Sequence, residues 1–301
     1  MKHSMPIVIS MLMLFFMSQV VGLYIVYKYV DTEKTMATGE VQWQPLPFGQ
    51  ERPDVAPSFS YVPIVIAIAA GTVLALLLVK FSWYFVWKLW FFLAVWYTVA
   101  IALVPIVRLP VAAAVIGLAL GLYKLYGRNI MVKNITEVFI YAGIAVILVP
   151  VLNILSAIIL LVLISIYDAW AVWKSGHMII LAKAQSSLKV FAGLQMPYVT
   201  SERVKVKQAK VTGKTKLHHP KTKTILTMKT AILGGGDIAF SLLFAGAVMG
   251  EFGFFHALVI PIFTTVALFF LFWLGQKNKF YPAMPFLSAA CFLGYILLLF
   301  L

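Results

Sequence analysis

Residues 138–173 read VFIYAGIAVILVPVLNILSAIILLVLISIYDAWAVW. The run from Val138 to Trp173 is almost wholly apolar, and its one acid is Asp168. As a single helix at 1.5 Å per residue it would reach about 54 Å, whereas the hydrocarbon core of a bilayer is about 30 Å thick. It must fold back. Pro150 and Asn153 supply the turn, which leaves two spans, 135–150 and 153–173, the second with an acid near its end. A chain built this way lives in a membrane.

Composition agrees. Of the 301 residues 62% are hydrophobic and only 11% charged, with a mean hydropathy of +0.97. Soluble domains run at about 45–50% apolar and about 25% charged. At about 20 apolar residues per span there is room for roughly ten spans and none for a large extramembrane domain, so the chemistry belongs inside the membrane. A net charge of +14 would suggest nucleic acid in a soluble protein. In so apolar a chain the basic residues report orientation instead, and no nucleic-acid partner is expected. The single cysteine, Cys291, excludes an intrachain disulfide framework and a multi-cysteine zinc site.

Outward from the central run, apolar stretches at 6–26, 61–79, 85–107 and 110–126 precede it, and stretches at 230–250, 254–275 and 281–301 follow it. The first exceeds the core of a secretory signal and reads as a retained span. The expected fold is therefore an all-α membrane protein, a polytopic bundle of nine transmembrane helices. It divides into an N-terminal membrane part (1–173), a partly flexible basic loop (174–229) and a C-terminal membrane part (230–301). Trp83, Tyr84, Phe85 and Trp87, between Lys80 and Lys88, read as an anchor at headgroup level. The loop carries twelve Lys and Arg against Glu202. With the amino terminus cytoplasmic, the inner side sums to +18, the outer side to −2, and the remaining −2 is Asp168 and Asp237 within spans. That distribution favours a cytoplasmic N-terminus and an extracytoplasmic C-terminus, with the basic loop drawn to anionic lipid.

An ionisable residue inside a span is costly and is by default a functional candidate. Asp168 lies six residues before Lys174 and Asp237 eight residues after Lys229, on sequential antiparallel spans, which puts both at similar depth. Two carboxyls held close cannot both ionise and share a proton, the arrangement acid–base hydrolysis needs. One takes a proton from the attacking water while the other polarises the carbonyl and helps protonate the leaving nitrogen. Gly234, Gly235 and Gly236 precede Asp237 and weaken the helix there, which fits either close packing or a break that admits water or substrate. Tyr167 stands beside Asp168 to donate a hydrogen bond or to pack. Pro282, Ala283, Met284 and Pro285 open the last span, where free backbone carbonyls could accept hydrogen bonds from a substrate strand. Taken singly, each feature has a plainer reading: a structural aspartate, close helix packing, a helix start.

Together, Tyr167-Asp168, Gly234-Gly235-Gly236-Asp237 and Pro282-Ala283-Met284 resemble the YD, GxGD and PAL motifs of the presenilin and signal peptide peptidase intramembrane aspartyl proteases, on spans six, seven and nine. The third reads Pro-Ala-Met in place of Pro-Ala-Leu, a swap of similar volume. The resemblance implies Asp168 and Asp237 as the catalytic dyad. It implies Tyr167, Gly234, Gly235, Gly236, Pro282, Ala283 and Met284 as dyad support or substrate contacts, with no metal and no cofactor. The deduced orientation resembles that of presenilins, which implies transmembrane substrate peptides with their amino terminus outside. Likeness to the archaeal members implies the plasma membrane of an archaeon, with accessory subunits or an oligomer as further partners. Presenilins are cut in the corresponding loop, so self-cleavage is expected near the moderately apolar stretch 178–199, whose lysines are spaced as on an amphipathic helix. The motif of helical zinc proteases, H-E-x-x-H, is absent. The rival class is a proton- or cation-coupled transporter using the same carboxylates, although no internal repeat of the transporter kind is present.

Overall fold

A computed structural model of the chain describes residues 5–52, 55–175, 191–205, 222–275 and 281–301. The central run folds as its length demands. Helix α6 (Ile130–Leu148) and helix α7 (Ile154–Trp170) are separated by a 3-10 turn over Val149–Val151. Each begins on an asparagine cap: Asn129 Oδ1 accepts the Met131 N–H at 2.8 Å, and Asn153 Oδ1 accepts the Ser156 N–H at 2.8 Å. Beyond Trp170, α7 runs into a π-helical turn over Ala171–Ser175.

Before this pair come α1 (Met5–Tyr27), the short α2 (Thr32–Thr38), α3 (Tyr61–Lys80), α4 (Tyr84–Val107) and α5 (Pro110–Tyr126). After it come two strands, β1 (Gly193–Lys205) and β2 (Thr222–Gly234). Helices α8 (Gly235–Phe252), α9 (Phe254–Ala257), α10 (Val259–Leu274) and α11 (Met284–Leu299) complete the chain. The fold is mostly helical. Among the described residues seven helical stretches are long and apolar enough to cross a membrane, where nine spans were expected. The other two apolar helices, α5 and α11, stand at the expected places but stop short. Pro110 starts α5 and Gly127 ends it, and α11 cannot begin before the Pro282 turn.

Helices α6 and α8 form the centre, with 56% of the apolar window of each buried, against 6% for α3, which lies at the edge. Phe15, Leu23, Tyr141, Leu161, Ile238, Phe244, Ile260 and Met284 share the core. Helix α6 approaches α4 so closely that a Cβ on Gly143 would fall 2.0 Å from the Thr98 carbonyl oxygen. Only glycine fits there.

Three expectations are corrected. First, the 174–229 region is not all loop. Strands β1 and β2 pair antiparallel with Gly193 opposite Gly234, so β2 runs through 230–234, where a helix was expected, and α8 starts at Gly235. The alternation of Thr230, Ala231, Ile232 and Leu233 suits a strand with one buried face: Ala231 and Leu233 are buried and Thr230 and Ile232 exposed. The amphipathic helix expected over 178–199 falls partly on residues outside those described, and from Gly193 on the chain is strand. Second, Lys124 and Glu137, both counted in the inner-side charge sum as part of a basic connection over 124–137, belong to α5 and α6 and form a buried ion pair. Third, Trp87 of the aromatic patch is buried against Leu78, while Trp83, Tyr84 and Phe85 are exposed.

Candidate active site

Asp168 stands in the last turn of α7 and is buried. Its Oδ2 accepts the Met284 N–H at 3.1 Å, and the Ala283 N–H also donates to the carboxylate. The first amides of a helix have no intrahelical acceptor, and the positive end of the helix dipole favours a carboxylate there. Asp168 thus caps α11 from a different helix. Pro282 keeps α11 from starting earlier, and Met284 is itself buried in the core. What Pro282-Ala283-Met284 offers this carboxyl is a pair of N–H donors. A second clasp lies one turn earlier, where Ser165 Oγ donates to Ser288 Oγ of α11 at 2.8 Å.

Asp237 is the third residue of α8 and half-buried. It sits in a helix's first turn and not two turns deep, because β2 carries the chain up to Gly234. The Gly234 N–H donates to its carboxylate, and the carboxyl lies within electrostatic range of Asp168. The structure therefore brings together the two acids that the sequence singled out.

The three glycines differ in what they do. A Cβ on Gly234 would meet Asp237 Oδ2 at 3.2 Å, and one on Gly236 would make only an ordinary contact with the Phe240 ring at 3.7 Å. A Cβ on Gly235 would fall 2.6 Å from the Tyr141 hydroxyl and 3.1 Å from Cε1 of the same ring. The glycine at the variable place of the motif is the one whose side-chain space is taken. Tyr167 is half-buried, and its ring packs against Trp170 with centroids 6.4 Å apart.

Several residues that hold the site belong to no motif in the sequence. Gln19 of α1, fully buried, donates to the Ile238 carbonyl at 2.9 Å and to Ser241 Oγ at 2.8 Å, and Ser241 Oγ donates to the Asp237 carbonyl at 2.7 Å. The first turn of α8 is thereby tied to α1. Asn134 of α6 holds β1: its Nδ2 donates to the Gln195 carbonyl at 2.8 Å and its Oδ1 accepts the Gln195 N–H at 3.0 Å. Because both backbone groups of Gln195 point to Asn134, its partner across the ladder, Ile232, also turns its N–H and carbonyl away from β1. The same alternation turns Thr230 and Gly234 outward. Strand β2 therefore has an edge not paired with β1, and that edge ends three residues before Asp237. A single polar residue in an apolar helix, such as Gln19, was the one clue available.

Among the described residues no group of three or more His, Cys, Asp or Glu could hold a metal. The chemistry available is that of two carboxyls. The signal-peptide peptidase, presenilin aspartyl protease family matches residues 9–301. The chain belongs to this family. It is an intramembrane aspartyl protease. Two solved structures, of a presenilin family intramembrane aspartate protease in a C222 and in a P2 crystal form, are similar to this protease at 17% identity and a TM-score of 0.59 each. They cover 95% and 96% of this chain, and 97% and 95% of theirs, so the likeness in fold runs over nearly the whole length of the protease. No curated protein matches it.

Proposed function

We propose that Asp168 and Asp237 are the catalytic dyad of this protease and that its substrates are transmembrane peptides cleaved after unwinding beside β2. The observation that carries this reading is the convergence of the two carboxyls at the point where the outward-facing edge of β2 ends. A helical carbonyl is hydrogen-bonded and shielded, so the scissile segment has to be extended before water reaches it. An extended segment laid on that edge would find the outward N–H and carbonyl groups of Thr230 and Ile232 for its own backbone. One carboxylate then takes a proton from water as the oxygen attacks the peptide carbon. The other, protonated, donates to the carbonyl oxygen, and proton return to the nitrogen releases the amine.

The same reading takes α5 and α11 as spans, which makes nine. The amino terminus and the 174–229 region are cytoplasmic, the carboxyl terminus is outside, and substrates enter with their amino terminus outside, as the basic excess of the inner side supports. Anionic lipid then faces the basic region, and an archaeal plasma membrane is the proposed location. Pro282, Ala283 and Met284 support the dyad through backbone donors, and Gly234, Gly235 and Gly236 let α8 begin at its edge.

The test is incubation of purified protein with a membrane-spanning peptide. Cleavage is expected, with its loss in Asp168→Ala and in Asp237→Ala. Cleavage that persists in either variant overturns the dyad, and proton or cation flux without cleavage would assign the carboxylates to transport.

A further inference from the structure

One face of the β1–β2 sheet opens on a cavity of about 200 Å³ that neither the dyad nor the strand edge accounts for. Its walls are Lys124 from the last turn of α5, Lys133 from the first turn of α6, Phe191, Gln195 of β1, and Thr230 and Ile232 of β2. Lys133 precedes Asn134, whose clamp on the Gln195 backbone fixes β1 beside the two lysines. None of the described residues lining the cavity is acidic. Glu137 answers Lys124 from the side of α6, so Lys124, Lys133 and Glu137 together leave one positive charge in excess.

Exposure gives the cavity a direction. Lys124 is 4% exposed and Gln195 is half-buried, whereas Ile232 is 49% exposed and Thr230 is exposed. The closed end therefore lies at Lys124, and the mouth lies over β2. On the other face of the sheet Ala231 and Leu233 turn to the core, and Ile7, Val8, Met11 and Phe272 stand around Ala231. A substrate segment paired with the outer edge of β2 continues this alternation, because residues directly opposite each other in a ladder put their side chains on the same face. Its residues opposite Thr230 and Ile232 stand at the mouth of the cavity, and the one between them faces the apolar side. Since β2 ends at Gly234, three residues before Asp237, a substrate with its amino terminus outside places these positions on the carboxyl-terminal side of the cleaved bond.

We propose that this cavity is a specificity subsite: it takes an acidic side chain of the substrate from one of two positions, two residues apart, on the carboxyl-terminal side of the cleaved bond, and it disfavours lysine or arginine there. The inference rests on the substrate strand proposed above and adds a side-chain preference to it. Its repulsive half discriminates as strongly as its attractive half. Spans that enter with their amino terminus outside commonly carry Lys or Arg at the inner end, and one whose basic residues come close to the cut meets a like charge here. The subsite thus selects spans that stay acidic or neutral over the residues just past the cut.

The experiment uses the full chain in detergent and a transmembrane peptide that it cleaves, with the cut mapped. Glu, Gln and Lys are placed in turn at each residue from the cut to the inner end, and kcat and KM are measured for each peptide. At two positions separated by one residue, Glu should exceed Gln in kcat/KM by about three- to tenfold and Lys should fall below Gln by as much. The difference should lie in KM and shrink at high salt, and the position between should favour no charge. Lys133→Glu should invert the order of the three peptides at those two positions and leave it unchanged elsewhere. Should Lys133→Glu not fold, Thr230→Glu puts a carboxylate at the exposed mouth and should abolish the preference for Glu. Equal kcat/KM for the three peptides at every position, a preference without the two-residue spacing, or an order that both variants leave unchanged overturns the proposal. A Lys133→Glu protein that weakens equally on all three peptides, and only in anionic lipid, assigns the cavity to a lipid phosphate and also overturns it. Failure of the underlying reading looks different. Cleavage surviving in Asp237→Ala removes the dyad and an unmoved KM in Ile232→Pro removes the strand edge, whereas the expected results in both beside an enzyme blind to charge sink only the subsite.

Discussion

The buried pair Lys124–Glu137 gives an asymmetric prediction for stability. Removing one partner of a buried ion pair costs about 3–5 kcal/mol, because the charge left behind has no partner, whereas replacing both by apolar residues of similar volume is about neutral or even stabilising. The two ends of this pair are not equivalent. Glu137 is 0% exposed, and its second oxygen has no well-formed hydrogen bond among the described residues, so Lys124→Met leaves a buried carboxylate without its cation. That variant belongs at about 3 kcal/mol or more of destabilisation. Lys124, in contrast, lines the 200 Å³ cavity and has a flexible stem, so in Glu137→Leu its ammonium can turn to water there. The loss should be nearer 1–2 kcal/mol, an estimate discounted from the buried-pair range for that access. Lys124→Met with Glu137→Leu should return to within about 1 kcal/mol of the parent, a coupling far beyond the few tenths seen for independent sites. Reversible unfolding of the four proteins in one detergent measures the cycle. Additive single variants, or a Glu137→Leu protein less stable than Lys124→Met, would refute the reasoning.

Other outcomes follow from the same geometry. Because hydrolysis needs one carboxyl ionised and one protonated, peptide cleavage should be bell-shaped in pH, and a flat profile across the acidic and neutral range would contradict shared-proton chemistry. Ile232→Pro deletes an N–H that faces away from β1, so it should raise KM for a transmembrane peptide several-fold and leave melting almost unchanged; Leu233→Pro, which breaks the ladder, should lower both stability and activity. Gly143→Ala forces a methyl into the Thr98 carbonyl and should cost about 1–3 kcal/mol in unfolding, with a melt unchanged from the parent as the contrary result. Gln19→Leu removes two hydrogen bonds to the first two turns of α8 but also a buried Oε1 that has no partner among the described residues, so kcat should fall while stability changes by about 1 kcal/mol or less.

Much of this was legible in the chain because the bilayer simplifies the code. A span has to be apolar and about 20 residues long, so the fold-back at Pro150 and Asn153, and the helices on either side of it, could be placed by length alone. An acid in such a setting stands out, and Asp168 and Asp237 did. What could not be read was whatever depends on a partner distant in sequence. Gln19 reaches Ile238 and Ser241, Asn134 reaches Gln195, and Glu137 reaches Lys124, and none of these pairs has a periodicity that marks it. The strand over 230–234 was missed for a related reason. Its apolar residues extend the pattern of α8, and only pairing with β1 through Gly193 and Gly234 selects the extended form.

That hidden strand explains why the two acids stand where they do. A carboxyl in the middle of an unbroken helix would face a backbone whose donors are all spent on its own carbonyls, far from water. Both acids avoid this by facing a helix start. Asp168 takes the first amides of α11, which are free because Pro282 stops the helix from beginning earlier. Asp237 lies in the first turn of α8, which begins where it does because β2 and the glycines hold the preceding residues extended. The breaks that make α11 short and α8 late are therefore the same features that supply donors to the carboxyls and set beside them a strand edge not paired with β1. If that reasoning holds, lengthening α8 backward by Gly234→Ala with Gly236→Ala should raise stability or leave it unchanged while abolishing cleavage. A variant that gained helix and kept full activity would separate the break from the chemistry.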